Sequence, residues 1–139
     1  MIKNAIVSAE TLIKIPFHDV DMMRIAWHGH YVKYFEVARC ELLDELEYGY
    51  ISMVNSGYAW PVIDLHIRYA KPATFEQNVI VTSAVVEYEN RLKVKYEIHD
   101  EVSGDRLTKG HTVQVAVDMK TNEMCFASPQ ILLDKLGVE

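Results

Sequence analysis

A chain of 139 residues has room for one domain, expected to span 1–139, and its 50% apolar and 24% charged residues exclude a disordered or collagen-like protein. The net charge of −6 excludes a duplex-binding role, which needs a basic face, while a local Lys and Arg cluster could still hold the phosphates of a small polyanion. Cys40 and Cys125 are the only cysteines and lack the Cys-x-x-Cys spacing of redox or zinc chemistry, so both read as structural thiols.

From Thr11 to Phe17 apolar and polar residues partly alternate, which predicts a strand ending near Pro16. Residues 18–30 follow neither helix nor strand periodicity and predict a loop. Tyr31, Phe35, Ala38, Leu42 and Leu46 then recur at helical spacing, predicting a helix of about five turns over Tyr31–Tyr48 with Gly49 as its stop. Four strands should follow, over 58–69, 78–88, 91–99 and 106–117. The Leu92, Val94, Tyr96 and Ile98 alternation is the clearest of these, and Glu89-Asn90 makes its strand a hairpin with the one before. A short helix over Pro129–Leu136 closes the series, with Ser128 as its cap and Pro129 in its first turn. This order predicts an α+β architecture in which a five-stranded antiparallel curved sheet wraps one long helix. The opening Met1-Ile2-Lys3-Asn4 has no apolar leader, and no apolar run nears the roughly 18 residues of a membrane span, so a cytoplasmic protein without a membrane partner is expected.

The loop ahead of the long helix is the densest polar cluster in the chain: His18, Asp19, Asp21, Arg24, His28 and His30. A helix N-terminus offers unpaired N–H groups and a partial positive charge to an anion or a developing oxyanion. Gly29 has no side chain to block that end. A carboxylate opposite such donors can attack a carbonyl or activate water while the N–H groups stabilise the tetrahedral intermediate. No Ser-His-Asp or Cys-His arrangement competes with this reading. His28-x-His30 with the two aspartates also suits zinc or iron in kind, but it lacks the spacing of a zinc helix, and no metal is expected. His66, His99 and His111 fall on predicted strands and read as surface or core residues, and Lys71, Arg91 and Arg106 are candidate phosphate contacts.

Phe17-His18-Asp19-Val20-Asp21 followed by Ile25-Ala26-Trp27-His28-Gly29-His30-Tyr31, with Phe35, Ala38 and Arg39 in register, resembles the active-site signature of the 4-hydroxybenzoyl-CoA thioesterase-like family. Arg68-Tyr69-Ala70-Lys71-Pro72-Ala73 is similar to a second stretch of that family, and the likeness covers nearly the whole chain. The resemblance implies the hotdog fold and hydrolysis of an acyl-CoA thioester to free acid and CoA. It implies Asp21 as nucleophile or general base, with the His28 backbone N–H polarising the carbonyl and the His28 ring beside the reacting centre. Asp19, Gly29, His30 and Tyr31 would support that centre, while Trp27 and Asp64 are candidate substrate contacts, Asp64 also as a water-orienting carboxylate. No cofactor is implied, because coenzyme A is part of the substrate. Homodimers with active sites at the interface, often paired into homotetramers, are implied as well. Arg24 departs from the family pattern, where glycine is common, and His30 stands where asparagine is frequent. Two other readings use the same residues: a thioesterase or acyl-transfer partner acting on acyl carrier protein, and a hotdog module that binds an acyl thioester without turnover.

Overall fold

The computed structural model describes residues 2–139. Strand β1 runs Val7–Lys14 and pairs with β4 (Asn78–Glu87) from Val7↔Val85 to Lys14↔Asn78. It therefore starts earlier than the alternation suggested and stops before Pro16, which has no N–H to give a ladder. Phe17–Asp19 form a single 3-10 turn and His28–His30 a second, which runs directly into helix α1, Tyr31–Glu45.

Helix α1 buries Tyr31, Phe35, Ala38 and Leu42 of the predicted stripe, with Tyr34 and Leu43 beside them, while Leu46 falls past its end and is half-buried. It ends before Tyr48. Glu47 takes a left-handed φ of 59° and Tyr48 turns into the core, where its hydroxyl meets Ser56 Oγ at 2.9 Å and accepts from Trp60 Nε1 at 3.1 Å. Gly49 is thus not the stop of α1 but the residue before a second helix, α2 (Tyr50–Asn55), which no periodicity had announced. A Cβ at Gly49 would overlap the Asp44 carboxylate.

The single strand expected over 58–69 is split at Trp60-Pro61. Tyr58–Ala59 (β2) pairs with Val117–Asp118 (β7) in a small separate ribbon, and Val62–Tyr69 (β3) joins the main sheet with a register shift between Val62 and Asp64. With β5 (Leu92–Asp100) and β6 (Arg106–Gln114) the main sheet is antiparallel in the order β1-β4-β5-β6-β3. Helix α3 (Gln130–Leu136) is preceded by Pro129 in extended backbone, φ −61° and ψ 150°. Ser128 does not cap it; its hydroxyl is buried without a partner among the described residues. Gly137, at φ 72°, ends α3 with Val138 N–H donating to Leu133 O at 3.1 Å.

The core lies between α1 and the sheet. Leu92, Val94, Tyr96 and Ile98 on β5 are buried as their alternation required, and the Phe35 ring stacks on Tyr96 with centroids 4.3 Å apart and planes 6° from parallel. Burying each such ring contributes about 1.5–3 kcal/mol. The approach is close enough to need Gly110 on β6, where a Cβ would overlap His66 O and sit 2.7 Å from Phe35 Cε2. A five-stranded antiparallel sheet packed over one long helix, with a short C-terminal helix, is the hotdog arrangement. Edge strand β3 pairs with β6 alone among the described residues, and leaves Val62, Ile63, Leu65 and Tyr69 exposed. No helix among them is long and apolar enough to cross a membrane.

Candidate active site

The chain from β1 to α1 is folded by its own backbone into a tight platform. Val20 bridges Ala26, Ile25 bridges Thr74, and Ala26 N–H donates to Ala73 O at 2.8 Å, so the loop is laid along the segment that follows β3. Its tip is the turn Asp21-Met22-Met23-Arg24, closed by Arg24 N–H to Asp21 O at 2.9 Å and Asp21 N–H to Ile25 O at 3.0 Å. Arg24 adopts a left-handed φ of 64° there. The tight turn forms with arginine in place of the glycine common in the pattern, at a cost of about 1 kcal/mol.

Asp21 accepts from Met23 N–H through Oδ1 at 2.8 Å, which holds the carboxylate in one orientation and leaves Oδ2 without a partner among the described residues. It lines a cleft of about 390 Å³ together with Trp27, His28, Tyr31, Tyr69 and Lys71. The start of α1 opens into that cleft, and neither Trp27 nor His30 provides a side-chain cap for its N–H groups. Gly29 is required on its own account, because a Cβ would overlap the Trp27 ring. Trp27 packs beside both imidazoles, 4.8 Å from His28 and 5.5 Å from His30 between centroids.

Asp19 plays a different part. It is 1% exposed, and its carboxylate accepts from Lys33 Nζ at 2.6 Å and from Tyr34 Oη at 2.8 Å, while its carbonyl accepts from Trp27 N–H at 3.0 Å. Burial pushes its pKa up, but the Lys33 and Tyr34 hydrogen bonds and the Lys33 charge more than offset this and hold it below the usual value. His30 Nδ1 lies 3.9 Å from the same carboxylate. Tyr31 is buried, with its hydroxyl accepting from Ala73 N–H at 3.0 Å, and burial raises its pKa despite that bond.

The structure therefore gathers Asp21, Trp27, His28 and Tyr31 around one cleft, with Asp19, Gly29 and His30 behind it. Asp64 is not in this group. It sits third along β3, near the Val62 end and five residues from Tyr69, with Oδ2 3.7 Å from His111 Nε2. Tyr69 is the residue that sequence reasoning missed: its hydroxyl donates to His28 O at 2.7 Å and its ring meets Tyr31 edge-on at 4.9 Å. The signal was present, since Tyr69 opens the Tyr-Ala-Lys-Pro-Ala stretch already singled out. No group of three or more His, Cys, Asp and Glu side chains among the described residues is arranged to hold a metal ion.

Residues 15–134 match the profile described as the thioesterase-like superfamily. The chain belongs to that superfamily. The Bacillus subtilis (strain 168) protein YneP, whose name describes it as a candidate acyl-CoA thioesterase, is 28% identical over 110 residues, 78% of this chain and 79% of that protein. A DHNA-CoA thioesterase structure from Staphylococcus aureus superposes with a TM-score of 0.78 at 31% identity, covering 86% of this chain and 80% of that one. Slr0204 of Synechocystis, a 1,4-dihydroxy-2-naphthoyl-CoA thioesterase, shares the fold with a TM-score of 0.85 at 16% identity over 94% of this chain and 96% of that one. The superfamily membership and the hotdog fold agree with the resemblance noted in the signature residues.

Proposed function

We propose that this thioesterase-superfamily member hydrolyses acyl-CoA thioesters to a free acid and CoA. The observation that carries the reading is a single cleft shared by the Asp21 carboxylate and the uncapped start of α1. The thioester carbonyl oxygen is polarised by the N–H groups at His28 and Gly29. Asp21 Oδ2 either attacks the carbonyl carbon, giving a mixed anhydride that water opens, or draws a proton from the attacking water. In both routes the C–S bond breaks and the CoA thiolate leaves. Its moderate pKa removes the need for a strong general acid. Tyr69 fixes the His28 carbonyl and so the pitch of the first turn, and Trp27 flanks the acyl group. Water is the only co-reactant and no cofactor takes part. A CoA thioester also suits a cytoplasmic protein.

Pairing of two copies through β3 covers the free apolar edge and makes a homodimer the working unit, with pairs of dimers as the next level of assembly. Asp21→Asn keeps a side-chain oxygen for the Met23 N–H, so thermal melting should be unchanged. Turnover of acyl-CoA should fall by about 10²–10³ or more, the range for loss of a key stabilising or reacting group. Near-normal turnover in that variant would remove Asp21 from the mechanism. Acyl carrier protein thioesters belong in the same assay as the competing substrate.

A further inference from the structure

The N-terminal end of α1 carries a charge of the unfavoured sign. A helix start favours acids, because its N–H groups present partial positive charge, yet the first turn of α1 has no acid and Lys33 is its third residue. Asp19 holds Lys33 there: it is buried, and its Oδ1 accepts from Lys33 Nζ at 2.6 Å. Two imidazoles also approach that oxygen, His18 Nε2 at 3.7 Å and His30 Nδ1 at 3.9 Å, both too far for a hydrogen bond. The other oxygen, Oδ2, accepts from Tyr34 Oη at 2.8 Å. Tyr34 is a permanent donor, since burial and the adjacent carboxylate push its pKa well up. Consecutive residues of one helix thus grip the two oxygens of one loop carboxylate.

Main-chain bonds carry that grip to the cleft. Asp19 O accepts from Trp27 N–H at 3.0 Å, and Trp27 O accepts from His30 N–H at 2.9 Å, which closes the turn carrying the His28 and Gly29 N–H groups. In the other direction Asp21 follows Asp19 by two residues, and its N–H is bonded to Ile25 O at 3.0 Å. Asp19 therefore ties together the Asp21 turn, the Trp27 main chain and the first turn of α1. Neither Lys33 nor Tyr34 lines the cleft, so neither touches a thioester bound in it, and both act on the site through Asp19.

Building on the thioesterase reading above, we infer that Lys33 and Tyr34 are positioning residues for hydrolysis, which by clamping Asp19 set the span between the Asp21 carboxylate and the N–H groups at His28 and Gly29. Those groups have to meet the two ends of one carbonyl bond. A displacement on the order of 1 Å there costs about a hundredfold in rate, while affinity, which rests on the rest of the thioester, is spared.

The test separates rate from binding and from folding. Lys33→Met removes the ammonium and keeps an apolar stem, and Tyr34→Phe removes only the hydroxyl. Each should lower kcat on an acyl-CoA by about tenfold to a hundredfold, with KM within about threefold of wild type. Lys33→Arg, which restores a cationic donor, should return most of the rate. Circular dichroism and melting curves give the folded fraction, and rates are expressed per folded protein. Lys95→Met removes an equal charge from β5, away from the Asp19 loop, and should leave kcat unchanged. Where Lys33→Met fails to fold, Tyr34→Phe, which keeps the ion pair whole, decides alone, and an unchanged kcat in it overturns the inference. Unchanged kcat in folded Lys33→Met, a fall that Lys33→Arg does not reverse, or a rise in KM at constant kcat also overturns it and leaves the thioesterase reading intact. A wild type that hydrolyses no thioester removes that reading and this inference together.

Discussion

Asp19 and Asp21 stand two residues apart and meet opposite fates. Asp19 is locked under Lys33 and Tyr34, whereas Asp21 stays at the mouth of a cleft with one oxygen free. Because the folded pKa of Asp19 lies below its ordinary value of 3.8, its ionisation stabilises the fold above that value, and the contribution is lost as pH falls through the lower folded value. Asp19→Asn should cost about 1–3 kcal/mol at neutral pH, moderated because the Lys33 ammonium is half-exposed and regains water. It should also flatten the fall in melting temperature below about pH 4, which thermal melts across pH would show. Arg24 gives the opposite sign. Replacing a residue held at φ 64° by glycine relieves strain, although glycine also gains freedom in the unfolded chain. Arg24→Gly should therefore raise stability by about 0.5–1 kcal/mol in urea unfolding. The grouping of these residues was legible because they fall within thirteen consecutive positions. The partners that decide their roles, Lys33, Tyr34 and Tyr69, come from a helix and a strand outside that run, and no local pattern links them.

Among the elements, β5 and α1 were readable because each buries one face and so carries a strict period. Helix α2 was not, since its six residues bury only Met53 and a single turn and a half leaves no period to detect. The break between β2 and β3 was half legible: Pro61 marked an irregularity, but only the pairing of Tyr58–Ala59 with Val117–Asp118 assigns the two pieces to different sheets. Gly110 had no sequence signal at all, because the need for glycine arises from the Phe35 ring and the β3 backbone pressing on one strand position. Gly110→Ala should destabilise by about 1–3 kcal/mol in chemical denaturation. The effect belongs at the upper end of that range, as one of the two atoms it strikes is main chain and cannot swing away.

At the level of the whole molecule, the curved sheet around a helix was legible from element order and from a signature that spans most of the chain. The same signature implied homodimers, but linear order carries no pattern that places the two-fold axis they would need. The free β3 edge makes that axis testable. On the proposed pairing through β3, Leu65→Lys puts a charge on each side of the pairing line. Sedimentation should show a monomer, and turnover should collapse although the Asp21 loop is untouched. The segment around α2 and β2 stands apart from the main sheet: among the described residues β2 pairs with β7 alone, and α2 buries only Met53. Substitutions there should therefore leave both the five-stranded ladder and the Asp21 turn in place, so this corner of the molecule can vary at little cost to the rest.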